Sequence, residues 1–293
     1  MHQLGSTMRI VHPAPHVIGF YDGRIAGLRA HSEAPNWLDD GAFTLGICSY
    51  AIVDGPHALV YDTHISRPHA EIIRRTLREL GVTTIRVALS HWHADHIAGN
   101  EVFADCEIIA NHLTAAALDR NKDALERRNP PIKPVIMPNR LFEGALSLTV
   151  GTVEVELRQA DIHSHDGTVL LLPQTGLLLA GDTLEDPITY VAEPDRLQHH
   201  LADLRLMAGW AITRILPSHG ALAIIEAGGY DKGFIEASRR YVEKLDRCRA
   251  EPGLAEPDLQ RFAAEAFDTG AIGYFAAYEP VHRSNLAALK LGR

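Results

Sequence analysis

The chain has 293 residues, enough for one large or two ordinary domains, and its 46% hydrophobic and 22% charged residues exclude a disordered or collagen-like polymer. Lys and Arg number 28 against 37 Asp and Glu, a net charge of −9 with neutral histidine. That balance repels phosphate backbones, no local basic groove offsets it, and nucleic acid is not expected as a partner. Cys48, Cys106 and Cys248 are scattered without a CxxC pair and read as reduced thiols rather than a disulfide framework. No apolar run approaches the ~18 residues of a membrane span and the start lacks a signal-peptide layout, so a cytoplasmic protein without membrane contact is expected.

In chain order, residues 8–25 predict an extended segment interrupted by Pro13 and Pro15. Two apolar runs between Phe43 and Asp62 flank Asp54-Gly55-Pro56 and predict a β-hairpin. Arg67 to Leu80 places Ile72, Ile73, Leu77 and Leu80 at helical spacing, with Ser66 as N-cap, Pro68 in the first turn and Gly81 as the stop. Thr83 to Ser90 predicts a short buried strand that runs straight into His91-Trp92-His93-Ala94-Asp95-His96. A strand is expected over Glu107 to Ala110, a helix over Leu113 to Arg128, and a loop from Pro130 to Pro138. Residues 146–160 and 168–180 read as strands, Arg196 to Trp210 as a helix, Ile212 to Leu216 as a strand and 230–250 as a helix. The Ala-rich tail, about 257 to 290, is expected to be helical. Strands and helices alternate irregularly, which fits a layered α/β architecture better than a regular doubly wound sheet.

Histidine alone is weak evidence in a chain with 17 of them. The hexapeptide beginning at His91 is different, because three imidazoles and a carboxylate follow a buried strand. His91 and His93, two residues apart in extended backbone, can face one side, while Asp95 and His96 turn toward a neighbouring point. Nitrogen and hard oxygen donors together suit Zn²⁺ and tolerate Fe or Mn. Three later strands each end in a ligand-type residue: His163 after Gln159-Ala160, Asp182 in Gly181-Asp182-Thr183, and His219 in Pro217-Ser218-His219-Gly220. Rigid strand ends are where functional groups gather. His91, His93 and His163 are assigned to one metal, Asp95, His96 and His219 to a second, and Asp182 bridges them.

These residues resemble the metallo-β-lactamase-fold superfamily, whose HxHxDH core stands here as His91 to His96, with its later His, Asp and His at His163, Asp182 and His219 and its early strand-ending Asp at Asp62. The resemblance covers about residues 40–220 and implies a four-layer αββα sandwich with a dinuclear site at one edge of the sheets. It suggests a catalytic domain over 8–225 and a helical C-terminal extension over 226–293 packing on it. In Ile162-His163-Ser164-His165-Asp166-Gly167 either histidine can be the ligand; His163 is favoured because it sits at the strand exit and leaves Asp166-Gly167 for the turn. Asp62 is expected to orient a histidine rather than to bind metal. Tyr190, His64, His199 and His200, and the tail residues Tyr278, His282 and Asn285, can line the pocket, with packing or solvent roles favoured; Trp92 is expected to pack.

Two cations that share a water lower its pKa to about 7, which supplies a metal-bound hydroxide without a Ser or Cys nucleophile. The expectation is a zinc-dependent hydrolase with two ions per chain, acting on a small ester, lactone, thioester or amide, with Asp95 handling the proton and Asp182 bridging. Lactones and thioesters are favoured over β-lactams. The alternatives are a mononuclear iron-dependent dioxygenase of sulfur compounds and a non-catalytic metal-binding scaffold. The helical tail could support a homodimer.

Overall fold

The computed structural model describes residues 3–289. The chain opens with a hairpin, β1 (Arg9–Ala14) and β2 (Val17–Asp22), where the sequence predicts one interrupted extended segment. Pro13 is accommodated because β1 is an edge strand, and His16, at φ 64°, lies in the turn. The second hairpin pairs β3 (Ile47–Asp54) with β4 (His57–Tyr61), and the residues before it, Asp39–Leu45, form a π-helical segment instead of extending the strand back to Phe43.

Helix α1 (Arg67–Glu79) buries His69, Ala70, Ile73 and Leu77. Leu80, expected on this face, is 55% exposed because the helix has already ended. Ser66 is the N-cap, but its hydroxyl meets His69 Nδ1 at 2.6 Å rather than a backbone amide. Next come β5 (Thr84–Ala88), the single turn α2 (Ala94–Ile97), β6 (Glu107–Asn111) and α3 (His112–Glu126). The short strand β7 (Arg140–Phe142), absent from the sequence reading, follows the Pro-rich loop.

Strands β8 (Ala145–Val150), β9 (Val153–Gln159), β10 (Thr168–Leu172) and β11 (Leu177–Gly181) follow, then α4 (Leu197–Ala208), β12 (Arg214–Pro217), α5 (Leu222–Glu226) and α6 (Gly233–Arg247). The tail is broken rather than continuous: α7 (Leu259–Phe262), α8 (Ala264–Phe267) and α9 (Glu279–Ala288).

Strands β1 to β7 form one sheet in sequence order, antiparallel up to β4 and parallel beyond it. The second sheet runs β12-β11-β10-β9-β8, antiparallel except for the parallel β11–β12 pair. Alternation along the strands builds the layers. Tyr50, Ile52 and Leu59 of the first sheet meet Leu157, Leu170 and Leu179 of the second in the central core. Ala51, Val60 and Val87 turn outward against Ile73 and Leu77 of α1 and Leu118 of α3. Val169, Leu171, Leu178 and Ala180 turn outward against α4, α6 and the C-terminal helices. Strands buried on both faces read as unbroken apolar runs, which explains Leu177 to Ala180. The result is an αββα sandwich with a C-terminal helical extension. Among the described residues, no helix is long and apolar enough to cross a membrane.

Candidate metal centre

Five strand ends converge at one edge. Asp62 follows β4, His91 and His93 follow β5, His163 follows β9, Asp182 follows β11 and His219 follows β12. Asp95 and His96 lie in the turn of α2. The donor atoms of His91, His93 and His163 lie within 4.8 Å of one another, and so do those of Asp95, His96, Asp182 and His219.

Asp182 sits between these groups. Its Oδ2 is 3.1 Å from His96 Nε2, 3.5 Å from His219 Nε2 and 3.7 Å from both His91 Nε2 and His163 Nε2. The turn that presents it uses Gly181 at φ 56°, where an added Cβ would lie 3.0 Å from Ser90 Cβ and from the Tyr61 hydroxyl.

The outer nitrogens of four imidazoles are each tied to the protein. His96 Nδ1 donates to Asp62 Oδ2 at 2.8 Å, and His219 Nδ1 to the Gly46 carbonyl at 2.5 Å. His163 Nδ1 donates to the Tyr190 carbonyl at 2.8 Å. His91 Nδ1 donates to Ser90 Oγ at 2.9 Å, whose own hydroxyl donates to Asp62 Oδ2 at 2.6 Å. All four Nε2 atoms therefore face inward. His93 is turned the other way, with Nδ1 2.9 Å from His163 Nε2. Fixing one ring nitrogen selects the tautomer that leaves the other free to bind a metal.

Burial and charge act together on the ionisable groups. Burial pushes the carboxyls of Asp95 and Asp182 up, but His96 and His219 outweigh it and hold both well below the usual carboxylate range. Burial lowers His96 and His219, yet Asp182 and Asp95 bring both well above the usual imidazole value. His163 is also raised, with Glu185 and Asp182 overcoming burial. His91 lies well below its usual value and His93 falls to about 3, burial first and neighbouring imidazoles second. The residues fit divalent cations. His91 Nε2 and Asp182 Oδ1 are buried with no hydrogen-bond partner, an expensive state that a cation would relieve.

His165 is turned out of the cluster, its Nδ1 2.6 Å from Glu193 Oε1. Asp166 braces the loop, accepting the Trp92 amide at 3.0 Å and the Ser164 hydroxyl at 2.5 Å. Asp62 contacts His96 and Ser90 rather than the cluster interior. His64 Nε2 donates to the Phe20 carbonyl, its Nδ1 accepts the Ile65 amide, and its ring stacks on His69, so both ring nitrogens are engaged outside the cluster. Tyr190 is 40% exposed with its ring 5.9 Å from that of His163, and Trp92 packs against His93. His199 is exposed, and His200 is buried with neither ring nitrogen hydrogen-bonded, its Nε2 lying 3.8 Å from Asp161 Oδ1. Ser90 and Glu185 also belong to the site, although neither was expected from the sequence. Glu185 Oε1 lies 3.3 Å from His163 Nδ1, and its position three residues after Asp182 was the available signal.

The family model described as "Metallo-beta-lactamase superfamily" matches residues 44–252. The chain belongs to the metallo-β-lactamase superfamily. The HxHxDH hexapeptide from His91 to His96 lies inside the matched region, and a solved structure shares the fold: a metallo-β-lactamase from Pontibacter korlensis superposes with a TM-score of 0.60 at 15% identity, covering 80% of this chain and 99% of that one. Among curated relatives, the lactamase-like protein ptaB of Pestalotiopsis fici is 28% identical over 236 residues, 78% of this chain and 69% of that protein. An atrochrysone carboxyl ACP thioesterase of Aspergillus terreus is 28% identical over 184 residues, 62% of this chain. The chain spans about half of that relative's length, 52%.

Proposed function

We propose that the protein is a metal-dependent hydrolase of a small carbonyl substrate, with thioesters ahead of esters, lactones and amides. One observation carries this reading: four imidazoles present Nε2 inward around a single carboxylate oxygen of Asp182, each with its Nδ1 tied to the protein. His91, His93 and His163 would hold one ion, Asp95, His96 and His219 the other, and Asp182 would serve both. Two divalent cations bound there, zinc by donor chemistry with Fe or Mn tolerated, would acidify a water and polarise a carbonyl at neutral pH.

The chain's own residues do the rest. Asp62, Ser90, Tyr190 and Gly46 hold the rings in register. Asp95 is the carboxylate of the cluster open to solvent, 24% exposed against 5% for Asp182, and its Oδ2 is 3.3 Å from His219 Nε2. Its exposure, rather than its basicity, suits it to orient an incoming water and to relay that water's proton to a leaving thiol or alcohol. The thioester preference draws on the relative named as an ACP thioesterase.

The test is hydrolysis of an acyl-N-acetylcysteamine thioester, an aryl ester, a lactone and a β-lactam by protein as purified and after chelator treatment. Chelator-sensitive turnover, fastest on the thioester, is expected. Turnover that survives complete metal removal would overturn the reading.

A further inference from the structure

We infer that Glu185 and Asn285 are positioning residues of the metal centre, through which the C-terminal helix α9 holds His163 in place; this rests on the assignment of His163 as a ligand proposed above. His163 has φ 69°, a left-handed conformation that a non-glycine residue keeps only when its surroundings impose it. Its Nδ1 faces the Tyr190 carbonyl at 2.8 Å and Glu185 Oε1 at 3.3 Å. Glu185 is 2% exposed and also accepts the Tyr190 amide at 2.9 Å, while the Tyr278 hydroxyl, from the C-terminal extension, approaches its Oε2 at 3.5 Å. The segment from Asp182 to Val191 thus carries both a site carboxylate and the groups that aim His163.

That segment is fastened by a buried amide. Asn285 Oδ1 accepts the Val191 amide at 2.8 Å, and its Nδ2 donates to the Thr189 carbonyl and to the Tyr241 hydroxyl, both at 3.0 Å. Tyr241 donates in turn to His282 Nδ1 at 3.0 Å, and His282 Nε2 to the Glu256 carbonyl at 2.8 Å. Asn285 and His282 are fully buried amid the apolar packing of α6 and the tail. Packing alone would be served by leucine there, since a buried amide or imidazole stabilises nothing unless its partners are met. The Asn285 partners are two backbone groups of the site loop and the tyrosine that links it to His282.

The experiment uses the full chain, stripped of metal and titrated with Zn²⁺ against a chromophoric chelator, and separately with Co²⁺ followed by its visible absorption. Glu185→Gln keeps the shape and removes the charge; Asn285→Leu keeps the branched shape and removes the loop tether. In each variant one of two ions is expected to weaken by about 10–100-fold, with a shifted Co²⁺ band and the other ion retained. If Asn285→Leu does not fold, Asn285→Ala tests the tether in its place, and Glu185→Gln tests the carboxylate independently. Wild-type affinities and spectra in the variants would overturn this inference and leave the proposed function standing. A wild-type chain that binds neither ion would overturn both.

Discussion

Asp62 Oδ2 accepts the Nδ1 proton of His96 at 2.8 Å while Asp62 Oδ1 accepts the Ser90 amide at 2.7 Å, so one carboxylate at the end of β4 sets both the ring in α2 and the start of the His91 loop. Carboxylates in this position orient metal-binding imidazoles and raise their basicity. Replacing Asp62 with Ala is expected to weaken the ion proposed to sit at Asp95, His96 and His219 by about 10–100-fold in a zinc titration. It also leaves the buried Ser90 amide unpaired, at a cost of about 1–3 kcal/mol in urea denaturation.

Asp182 makes a sharper prediction. Because its Oδ2 approaches members of both histidine groups, Asp182→Ala is expected to abolish turnover and to release at least one ion, read by elemental analysis. An active, fully metallated variant contradicts a bridging role.

Most of this site is local in sequence. His91, His93, Asp95 and His96 lie within one hexapeptide, and His163, Asp182 and His219 each follow a recognisable apolar strand. The two buried sheets were legible because period-2 and continuous apolar runs report directly on burial. The rest depends on tertiary contacts that leave no local signature. The Asn285 amide meets Val191 across 94 residues, and nothing in the tail's composition marks it as a tether rather than packing. The three-residue β7 is too short to show a period, and the tail's Ala-rich composition hid the breaks between α7, α8 and α9.

The helical extension gives a pH prediction. Arg239 holds the Glu236 carboxyl down to about 2, with burial opposing it and Arg240 adding to the lowering. A carboxyl lowered on folding contributes stability above its unfolded value and loses it as pH falls through the folded one. The contribution of Glu236 is therefore present at pH 7 and fades between roughly pH 4.5 and 2. Its side chain is 41% exposed, so solvent limits the effect to about 1 kcal/mol or less. Glu236→Gln is expected to be slightly less stable than wild type at pH 7, and the two urea midpoints should converge toward pH 2.

The central core is tested at Leu179, fully buried between the sheets three residues before Asp182. Leu179→Ala removes its methyl groups and leaves a void, which is expected to cost about 2–5 kcal/mol in chemical denaturation. A loss below about 1 kcal/mol would show that the sheets close over the gap.

The most direct test is elemental analysis of the untagged protein, purified with no metal added. A dinuclear hydrolase predicts close to two zinc ions per chain, both removed by chelator together with activity. A single iron would redirect the chemistry toward oxygen-dependent reactions of sulfur compounds, and freshly prepared protein without bound metal would contradict the metal centre itself.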